Sequence, residues 1–247
     1  MSPSAVSGRK EPQINPEQVR DQIFNPDRFG VFEKFLHLPL LTGDSITYEP
    51  AINKNWMLAG TNATTATFST LGLVLATAGA SADQVVVEPH TLSGQSLVNT
   101  MVLNSSKAPF FETKFRIYSD ITACIAWAGL KLTPTDPTGA TDADQIFVRY
   151  EAGVSSGKWV LWVSRDGADS TIVSTVTVAA DTDYTVSIEL DADRKPHVTI
   201  NAESVFGDTM AIPLVAAKAL VPCVGIQASE IAAKTIKLKH VAIARDW

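Results

Sequence analysis

Residues 181–205 have the sequence DTDYTVSIELDADRKPHVTINAESV and contain the clearest structural signal in the chain. In the first half of this stretch every second residue is apolar: Tyr184, Val186, Ile188 and Leu190. This alternation is typical of a strand with one face on a core and the other in water. The polar segment 191–196 predicts a turn, and 197–201 predicts a returning strand. The stretch therefore predicts an antiparallel strand pair.

The same kind of pattern continues through most of the chain. Residues 110–118, FFETKFRIY, alternate in the same way. Runs rich in Val, Ile and Thr predict further strands at 71–77, 84–88, 97–103, 121–127, 146–151, 158–164, 171–178, 222–228 and 235–244. Turn signals separate them, and no helical pattern follows residue 55. We predict an all-β, two-sheet antiparallel sandwich domain over residues 56–247.

Composition excludes several classes of partner. The chain has 247 residues, 45% of them hydrophobic, and a formal charge of −6, which argues against nucleic-acid and anionic-membrane partners. No run approaches the ~20 apolar residues of a membrane helix, and the N-terminus lacks a signal-peptide pattern. We expect synthesis and folding in the cytoplasm. Cys124 and Cys223 lie in apolar runs and predict two buried free thiols, with a disulfide as the alternative.

Residues 1–55 differ from the rest and predict an N-terminal arm with two short helices. The segments NPEQVRDQIF and NPDRFGVFEKF each offer an Asn cap followed by Pro at the first helical position. The predicted helices are Pro16–Phe24 and Pro26–His37. We assign partner binding to the arm's apolar residues, Phe24, Phe29, Phe32, Phe35 and Leu36; the alternative is that they pack on the protein's own sandwich.

The residues offer little catalytic chemistry. The four histidines show no zinc-ligand spacing, and GVSSG at 153–157 is a turn rather than a nucleophile elbow. Glu112, Glu151 and Glu189 lie on separate strands and are interpreted as exposed strand residues. We predict no enzyme activity, no catalytic residue and no cofactor.

Loop carboxylates and tryptophans are the remaining candidates for a calcium site and a glycan contact. Asp142 with Asp144, and Asp191 with Asp193, gather carboxylates in loops as calcium requires, but neither spacing matches a calcium loop, so we predict no metal. Among the tryptophans, the alternation in KWVLWVS assigns Trp159 to the core. Trp162 points the other way and is a possible glycan contact in a concave groove.

The C-terminal stretch changes its alternation. Ile236 and Leu238 share one side, whereas Val241 and Ile243 share the other. We predict a β-bulge near residues 239–240; the alternative is a strand buried on both faces.

The strand, charged turn and returning strand over residues 184–201 resemble the concanavalin A-like and laminin G-like jelly-roll families. The tail, residues 221–245, resembles the closing strand pair of such domains in tailed-phage virion proteins. The resemblance covers residues 110–247 and, more weakly, 56–109. It implies a jelly-roll sandwich.

The resemblance also implies a function. It favours a non-enzymatic structural protein of a bacteriophage virion, a decoration or cement protein on the capsid exterior. Its arm would bind the major capsid protein or another virion protein, and a homo-oligomer is expected. The alternative is a glycan-binding, lectin-like module of a phage fibre that contacts a host surface. A polysaccharide-cleaving enzyme is a third possibility on this fold.

Overall fold

Two antiparallel β-sheets, packed face to face, build the described part of the molecule. The structure, a computed structural model, describes residues 28–35, 56–61, 65–69, 72–89, 103–118, 120–133, 142–206 and 213–246. Its strands are β1 (Arg28–Lys34), β2 (Trp56–Thr61), β3 (Thr65–Ser69), β4 (Gly72–Ala76), β5 (Gln84–Pro89), β6 (Leu103–Asn104), β7 (Phe110–Tyr118), β8 (Cys124–Lys131), β9 (Gln145–Glu151), β10 (Lys158–Arg165), β11 (Ala168–Thr177), β12 (Asp183–Leu190), β13 (Pro196–Ile200), β14 (Ala219–Ala228) and β15 (Thr235–Asp246).

The strands divide into a seven-stranded and an eight-stranded sheet. The first has the order β13-β12-β7-β15-β4-β3, with β1 also paired to β15. The second has the order β11-β10-β9-β8-β14-β5-β2, with β6 paired to β14. Strand β15 has room for two partners on one side because β4 pairs with its first part and β1 with its second. The predicted all-β antiparallel sandwich is confirmed.

An aromatic cluster joins the two sheets at the centre of the core. Trp159 on β10 is fully buried. Its ring centre lies 5.7 Å from that of Phe115 on β7 and 5.3 Å from that of Tyr184 on β12, both in edge-to-face geometry. Such pairs contribute about 0.5–1.5 kcal/mol each beyond the area they bury. The prediction that Trp159 belongs to the core is confirmed.

The predicted bulge in β15 is present. Pairing between β15 and β7 shifts register between Leu238 and His240. Leu238 is buried before the shift and Val241 after it, so the extra residue lets one strand keep apolar side chains on the core. The backbone oxygen of His240 accepts a 3.0 Å hydrogen bond from Thr113 Oγ1, which holds the irregular segment in place.

Other predictions about elements have mixed outcomes. Both cysteines are free and buried, as predicted. Strands β2 and β3 were not predicted: WMLAGT shows no clear alternation, and TATFS alternates over only five residues. Of the strand predicted at 97–103, the described residues contain only its last position, in β6. The described ranges include the 3-10 turn Ser155–Gly157 but no helix with the length and apolar character to cross a membrane.

The predicted helix Pro26–His37 is wrong, because Arg28–Lys34 is strand β1. It pairs antiparallel with β15 over its whole length, from Arg28 opposite Asp246 to Lys34 opposite His240. Tertiary pairing supplies a backbone partner for every residue of the segment and overrides the local Asn-Pro capping signal. The other predicted helix, Pro16–Phe24, lies outside the described residues.

The predicted apolar stripe is divided between two faces by the strand. Phe29 packs against the main core, and Phe35, just after β1, is only 3% exposed with its ring 6.1 Å from that of Trp56. Phe32 points away from the core and is 36% exposed. Phe24 and Leu36 lie outside the described residues. The described part of the stripe therefore contacts its own sandwich, and partner binding stays a prediction, as does the domain boundary at residue 55.

We expect Phe35→Leu to lower the free energy of unfolding by about 1 kcal/mol, because it opens space beside Trp56 in a packed region. The matched change Phe32→Leu, at a side chain that is 36% exposed, should leave stability within about 0.5 kcal/mol of the parent. Urea unfolding of both variants makes the comparison. Equal effects at the two positions would mean that the buried placement of Phe35 is wrong.

Candidate functional site

The surface of the eight-stranded sheet that points away from the core, here called the outer face, aligns side chains from distant parts of the chain. Register pairs place one row across five strands: Cys223, Gly129, Phe147, Trp162 and Thr171. A neighbouring row, two residues along, contains Gly225, Trp127, Arg149 and Val160. Side chains in such rows are direct neighbours, about 5 Å apart between strands.

Trp127 forms the base of the outer face. It is fully buried although it points away from the main core. Its indole lies against Gly225, where an added Cβ would meet Cζ2 of the ring at 2.3 Å. A glycine in mid-strand is required here because the ring occupies the space of a side chain. Together with Val86, Ile125, Phe147 and Cys223, Trp127 makes a small second core on this side of the sheet.

Trp162 is the partly exposed ring above this layer. It stacks on Phe147, with ring centres 6.1 Å apart and planes 17° apart. The guanidinium carbon of Arg149 lies 5.7 Å from the centre of the Trp162 ring, a cation–π contact. Arg149 also forms an ion pair with Glu151, whose side chain is 31% exposed. The outer face thus presents an aromatic surface beside a paired cation and carboxylate.

A buried chain of polar groups borders the aromatic layer. The ammonium of Lys131, fully buried, donates a 2.6 Å hydrogen bond to Oε1 of Gln145 and lies 4.1 Å above the Phe147 ring. Nε2 of Gln145 donates to Oγ of Ser164 at 2.9 Å, and that hydroxyl donates to Oδ1 of Asp169 at 2.5 Å. These bonds cross four strands, from β8 to β11. A connected network of this kind holds the strands beneath Trp162 in one arrangement.

Glu88 and Cys223 lie at the other end of the first row. In the register that pairs Val87 with Val224, Glu88 stands opposite Cys223. Burial raises the pKa of Glu88 to about 7 and that of the Cys223 thiol to about 12. The thiol is therefore protonated at neutral pH and is a poor nucleophile. No described residue donates a hydrogen bond to Glu88.

The carboxylates weighed as calcium ligands anchor loops instead. Asp142 accepts hydrogen bonds from the backbone N–H groups of Leu132 and Thr133, at 3.1 and 2.7 Å, and lies 3.8 Å from Lys131. Asp144 forms an ion pair with Lys218 at 3.1 Å. Across the described ranges no group of three or more His, Cys, Asp or Glu side chains is placed to hold a metal.

In the second carboxylate pair, Asp191 is engaged in the same way. Asp191 accepts a 2.8 Å hydrogen bond from the backbone N–H of Lys195, and its carboxylate lies 3.4 Å from Nε2 of His197. Burial acts to raise the pKa of Asp191, but the hydrogen bonds from Lys195 and His197 outweigh it and lower that pKa. Asp191 therefore closes the turn between β12 and β13.

One carboxylate differs from its interpretation as an exposed strand residue. Glu112 is 7% exposed, and its Oε1 lies 3.2 Å from Nε2 of His240, which is itself buried. The interpretation fails because the bulge in β15 turns His240 outward, next to Glu112. This pair lies on the seven-stranded sheet, on the opposite side of the molecule from Trp162.

Of the site residues predicted, the structure places Trp162 on the outer face, whereas its role as a glycan contact stays a prediction. Its contacts Phe147 and Arg149, and Glu151, which pairs with Arg149, were not predicted. A signal for them exists, since the alternation in QIFVRYE puts all three on one side of β9. Their position beside Trp162 depends on the pairing of β9 with β10, which that alternation does not give.

Comparison with known proteins gives the fold and no family. No protein-family model and no curated protein matches the sequence. A protein of unknown function from Shewanella oneidensis MR-1 has a similar structure, with a TM-score of 0.59 and 12% identity over 100% of this chain and 97% of that one.

Two further solved structures are similar. Crh5 transglycosylase aligns with a TM-score of 0.56 and 10% identity over 87% of this chain and 83% of that one. The potassium-bound carbohydrate recognition domain of Emp46p aligns with a TM-score of 0.53 and 8% identity over 81% of this chain and 95% of that one. At such identities the likeness shows the fold alone. The chain has a jelly-roll β-sandwich fold, as its sequence predicted, whereas membership of the concanavalin A-like family stays a prediction.

Proposed function

We propose that this protein is a glycan-binding module and that Trp162 is the centre of its binding surface. One observation carries the proposal: a partly exposed tryptophan, stacked on Phe147, lies beside the Arg149–Glu151 ion pair. A sugar ring has an apolar C–H face and a rim of hydroxyl groups. The aromatic surface suits the C–H face, and the charged pair suits the hydroxyls, because charged groups make the stronger hydrogen bonds.

The rigidity of the surface supports the proposal. Trp162, Arg149 and Glu151 lie on paired strands rather than on loops. The layer beneath them is packed, and the bonded chain from Lys131 to Asp169 fixes neighbouring strands. A surface that is already ordered loses little conformational entropy when it binds.

Two structural neighbours have glycan-related roles of their own. Those roles support the proposal, but they belong to the neighbours. The similar part of Emp46p is a carbohydrate recognition domain. Crh5 transglycosylase has a structure in complex with NAG that aligns with a TM-score of 0.54.

We propose binding without cleavage. Glycoside hydrolysis needs two carboxyl groups within roughly 5–10 Å of each other. On the outer face Glu88 lies on β5 and Glu151 on β9, three strands apart in the order β5-β14-β8-β9. At 4.7–4.9 Å a strand, the distance across the strands alone is about 14 Å, and Glu151 lies four residues further along β9 than the row that contains Glu88. These two carboxyl groups are too far apart to act as an acid and nucleophile pair.

Attachment to a phage capsid, with a location on the virion exterior and assembly as a homo-oligomer, stays a prediction from sequence resemblance. Its structural argument was an apolar arm in need of a partner. Phe29 and Phe35 of that arm pack on the protein's own core, which removes part of that argument. Exposed Phe32 remains available for such a contact. Glycan binding is therefore the better supported function, and a module of this kind on a phage fibre stays compatible with it.

A glycan array on the intact protein, followed by titration calorimetry of the hits, tests the proposal. We expect Trp162→Ala to weaken binding by about 2 kcal/mol, roughly 30-fold, because central aromatic contacts carry most of the energy of an interface. Trp162→Phe should retain much of the affinity, since it keeps a ring above Phe147.

Tyr118→Ala is the matched control, because Tyr118 is an exposed aromatic residue, 40% exposed, on the other sheet. It should leave the affinity for uncharged glycans unchanged. A blank array, or hits that Trp162→Ala and Tyr118→Ala weaken equally, would count against Trp162 as the binding surface.

A further inference from the structure

The outer surface of the seven-stranded sheet concentrates positive charge, although the chain has a formal charge of −6. Its cations, here called the basic patch, lie on the adjacent strands β1, β15 and β7: Lys34, Lys114, Arg116, Lys237 and Lys239. Register places Lys237 opposite Arg116, and it places His240 between Lys34 and Lys114. Cations on neighbouring strands stand about 5 Å apart and repel one another unless anions lie between them.

One carboxylate, Asp183, serves several members of the basic patch. It bonds Arg116 at 2.7 Å, lies 3.7 Å from Lys114, and also bonds Lys239. The hydrogen bond to Asp183 raises the pKa of Arg116. Burial acts to raise the pKa of Asp183 as well, but its bonds to Arg116 and Lys239 outweigh burial and lower it.

Two further carboxylates lie near the basic patch: Glu112, beside His240, and Asp181, whose charge also raises the pKa of Arg116. Three negative charges against the five positive ones of the basic patch leave an excess of positive charge.

The remaining two lysines contact aromatic rings rather than carboxylates. Lys237 Nζ lies 3.6 Å from the centre of the Tyr118 ring, and Lys34 Nζ lies 5.6 Å from that of Phe32. No described carboxylate forms an ion pair with either lysine. A cation–π contact leaves the positive charge in place, so both ammonium groups add to the excess.

We infer that the basic patch is a second binding surface and that its ligand is an acidic polysaccharide, with carboxylate or sulfate groups along an extended chain. Its cations recur at strand spacing across β1, β15 and β7, so a chain with repeated anionic groups contacts several of them at once. Side chains that are only a quarter exposed, such as Lys114 at 24% and Lys239 at 25%, are held in position by Asp183.

Two other classes of polyanion fit this surface less well. Single-stranded nucleic acid binds by stacking its bases on free aromatic rings, but Lys237 covers one face of Tyr118, and Phe32 lies beside His240 at 5.4 Å between ring centres. An acidic protein segment binds through an apolar anchor or by adding a strand to a sheet edge. β7 and β15, which carry four of the five cations, have partners on both sides and offer no such edge. Among the described strands β1 pairs only with β15, but it carries only Lys34, and a strand added at its free edge would lie about 10 Å or more from the other four cations.

This inference does not rest on the glycan surface around Trp162, which lies on the other sheet. The probes are therefore polygalacturonate and dextran sulfate, with neutral dextran as the uncharged comparison. We expect at least one acidic polymer to bind the intact protein. Added salt should weaken that binding, because salt ions screen the attraction between exposed charges that are more than about 8–10 Å apart.

The decisive variant is Lys114→Glu/Lys237→Glu, with Lys114→Gln/Lys237→Gln as a milder version if charge reversal impairs folding. Reversal should weaken binding of the acidic polymer by about tenfold, equivalent to about 1.4 kcal/mol. The control Arg165→Glu/Lys195→Glu makes the same change in net charge at positions outside the basic patch, and it should leave affinity within about twofold. Trp162→Ala should have no effect on this binding.

Each outcome bears on the inference. Binding of one polymer but not the other identifies carboxylate or sulfate as the recognised group. No binding by either polymer, or equal losses in the two double variants, overturns the basic patch as a site. Equal or tighter binding of single-stranded oligonucleotide, lost in the Lys114/Lys237 variants, overturns the polysaccharide assignment in favour of nucleic acid.

Discussion

Gly225→Val is expected to lower the free energy of unfolding by about 3 kcal/mol, at the upper end of the usual cost of overpacking a core. Gly225 lies on β14 directly beneath the Trp127 indole, and an added Cβ would be 2.3 Å from one ring carbon and 2.5 Å from another. Trp127 is fully buried and packed among Val86, Ile125, Phe147 and Cys223, so the ring cannot move aside into solvent. A branched side chain therefore forces the ring or the strand out of place.

A double-mutant cycle with Trp127→Ala separates this clash from any effect of valine on β14 itself. Trp127→Ala alone should be costly, as removal of a buried aromatic side chain usually is, by about 3–5 kcal/mol. In that background Gly225→Val should cost little, because the obstructing ring is gone. The coupling free energy should therefore reach about 2 kcal/mol. Additive effects in urea unfolding would mean that the close approach of the ring to Gly225 is not what constrains this position.

Gly225→Val should also affect the proposed glycan surface. Trp127 is the direct register partner of Arg149, which in turn contacts the Trp162 ring. Displacement of the Trp127 indole should therefore shift Arg149 and weaken glycan binding even though Gly225 is far from the exposed surface.

Thr171→Val, in the same row as Trp162 but on the exposed edge strand, should change stability by less than about 0.5 kcal/mol.

Strand-level features of this fold follow from local sequence patterns. The alternation in residues 184–190 corresponds to β12, and the change of side between Leu238 and Val241 locates the bulge in β15. Both signals depend only on which residues share a strand face. The first strand is different, because the Asn-Pro signal before Arg28 favours a helix, and only the distant β15 provides the pairing that makes a strand.

The two candidate surfaces depend on pairing that local patterns do not give. Trp162 can be assigned to an outward face from its own strand, but its contact with Phe147 needs the β9–β10 register. The basic patch is hidden for the same reason. Lys114 and Arg116 are separated from Lys237 by about 120 residues and become neighbours only when β7 pairs with β15. A sequence with a net charge of −6 therefore gives no sign of a positive surface.

Glu88→Gln is expected to stabilise the protein at pH 8 and to change it little at pH 5. Glu88 is only 8% exposed, and burial raises its pKa from 4.5 to about 7. The folded chain therefore holds this proton more tightly than the unfolded chain does between those two values. Stability must fall as pH rises from about 4.5 to 7, and the full cost is present above pH 7.

The size of the effect follows from the shift. The rise in the pKa of Glu88 from 4.5 to about 7 corresponds to a loss of about 3 kcal/mol in the free energy of unfolding once Glu88 is ionised. Glutamine has nearly the shape of the protonated acid and cannot ionise, so the variant should be spared that cost. Urea unfolding at pH 5, 6, 7 and 8 should show the stability of the parent falling across this range relative to Glu88→Gln.

The control is Glu203→Gln, at a glutamate on the exposed surface. It should leave the pH dependence of the parent unchanged. The aspartates with lowered pKa values are Asp120, Asp183 and Asp191, and the hydrogen bond from Lys234 lowers the pKa of Asp120 to about 2. Their contribution to stability is lost only in acid, below about pH 4, so it does not affect the comparison from pH 5 to 8. If Glu88→Gln and the parent show parallel stability curves from pH 5 to 8, then Glu88 is ionised at little cost, and water or a partner group must reach it beneath the outer face.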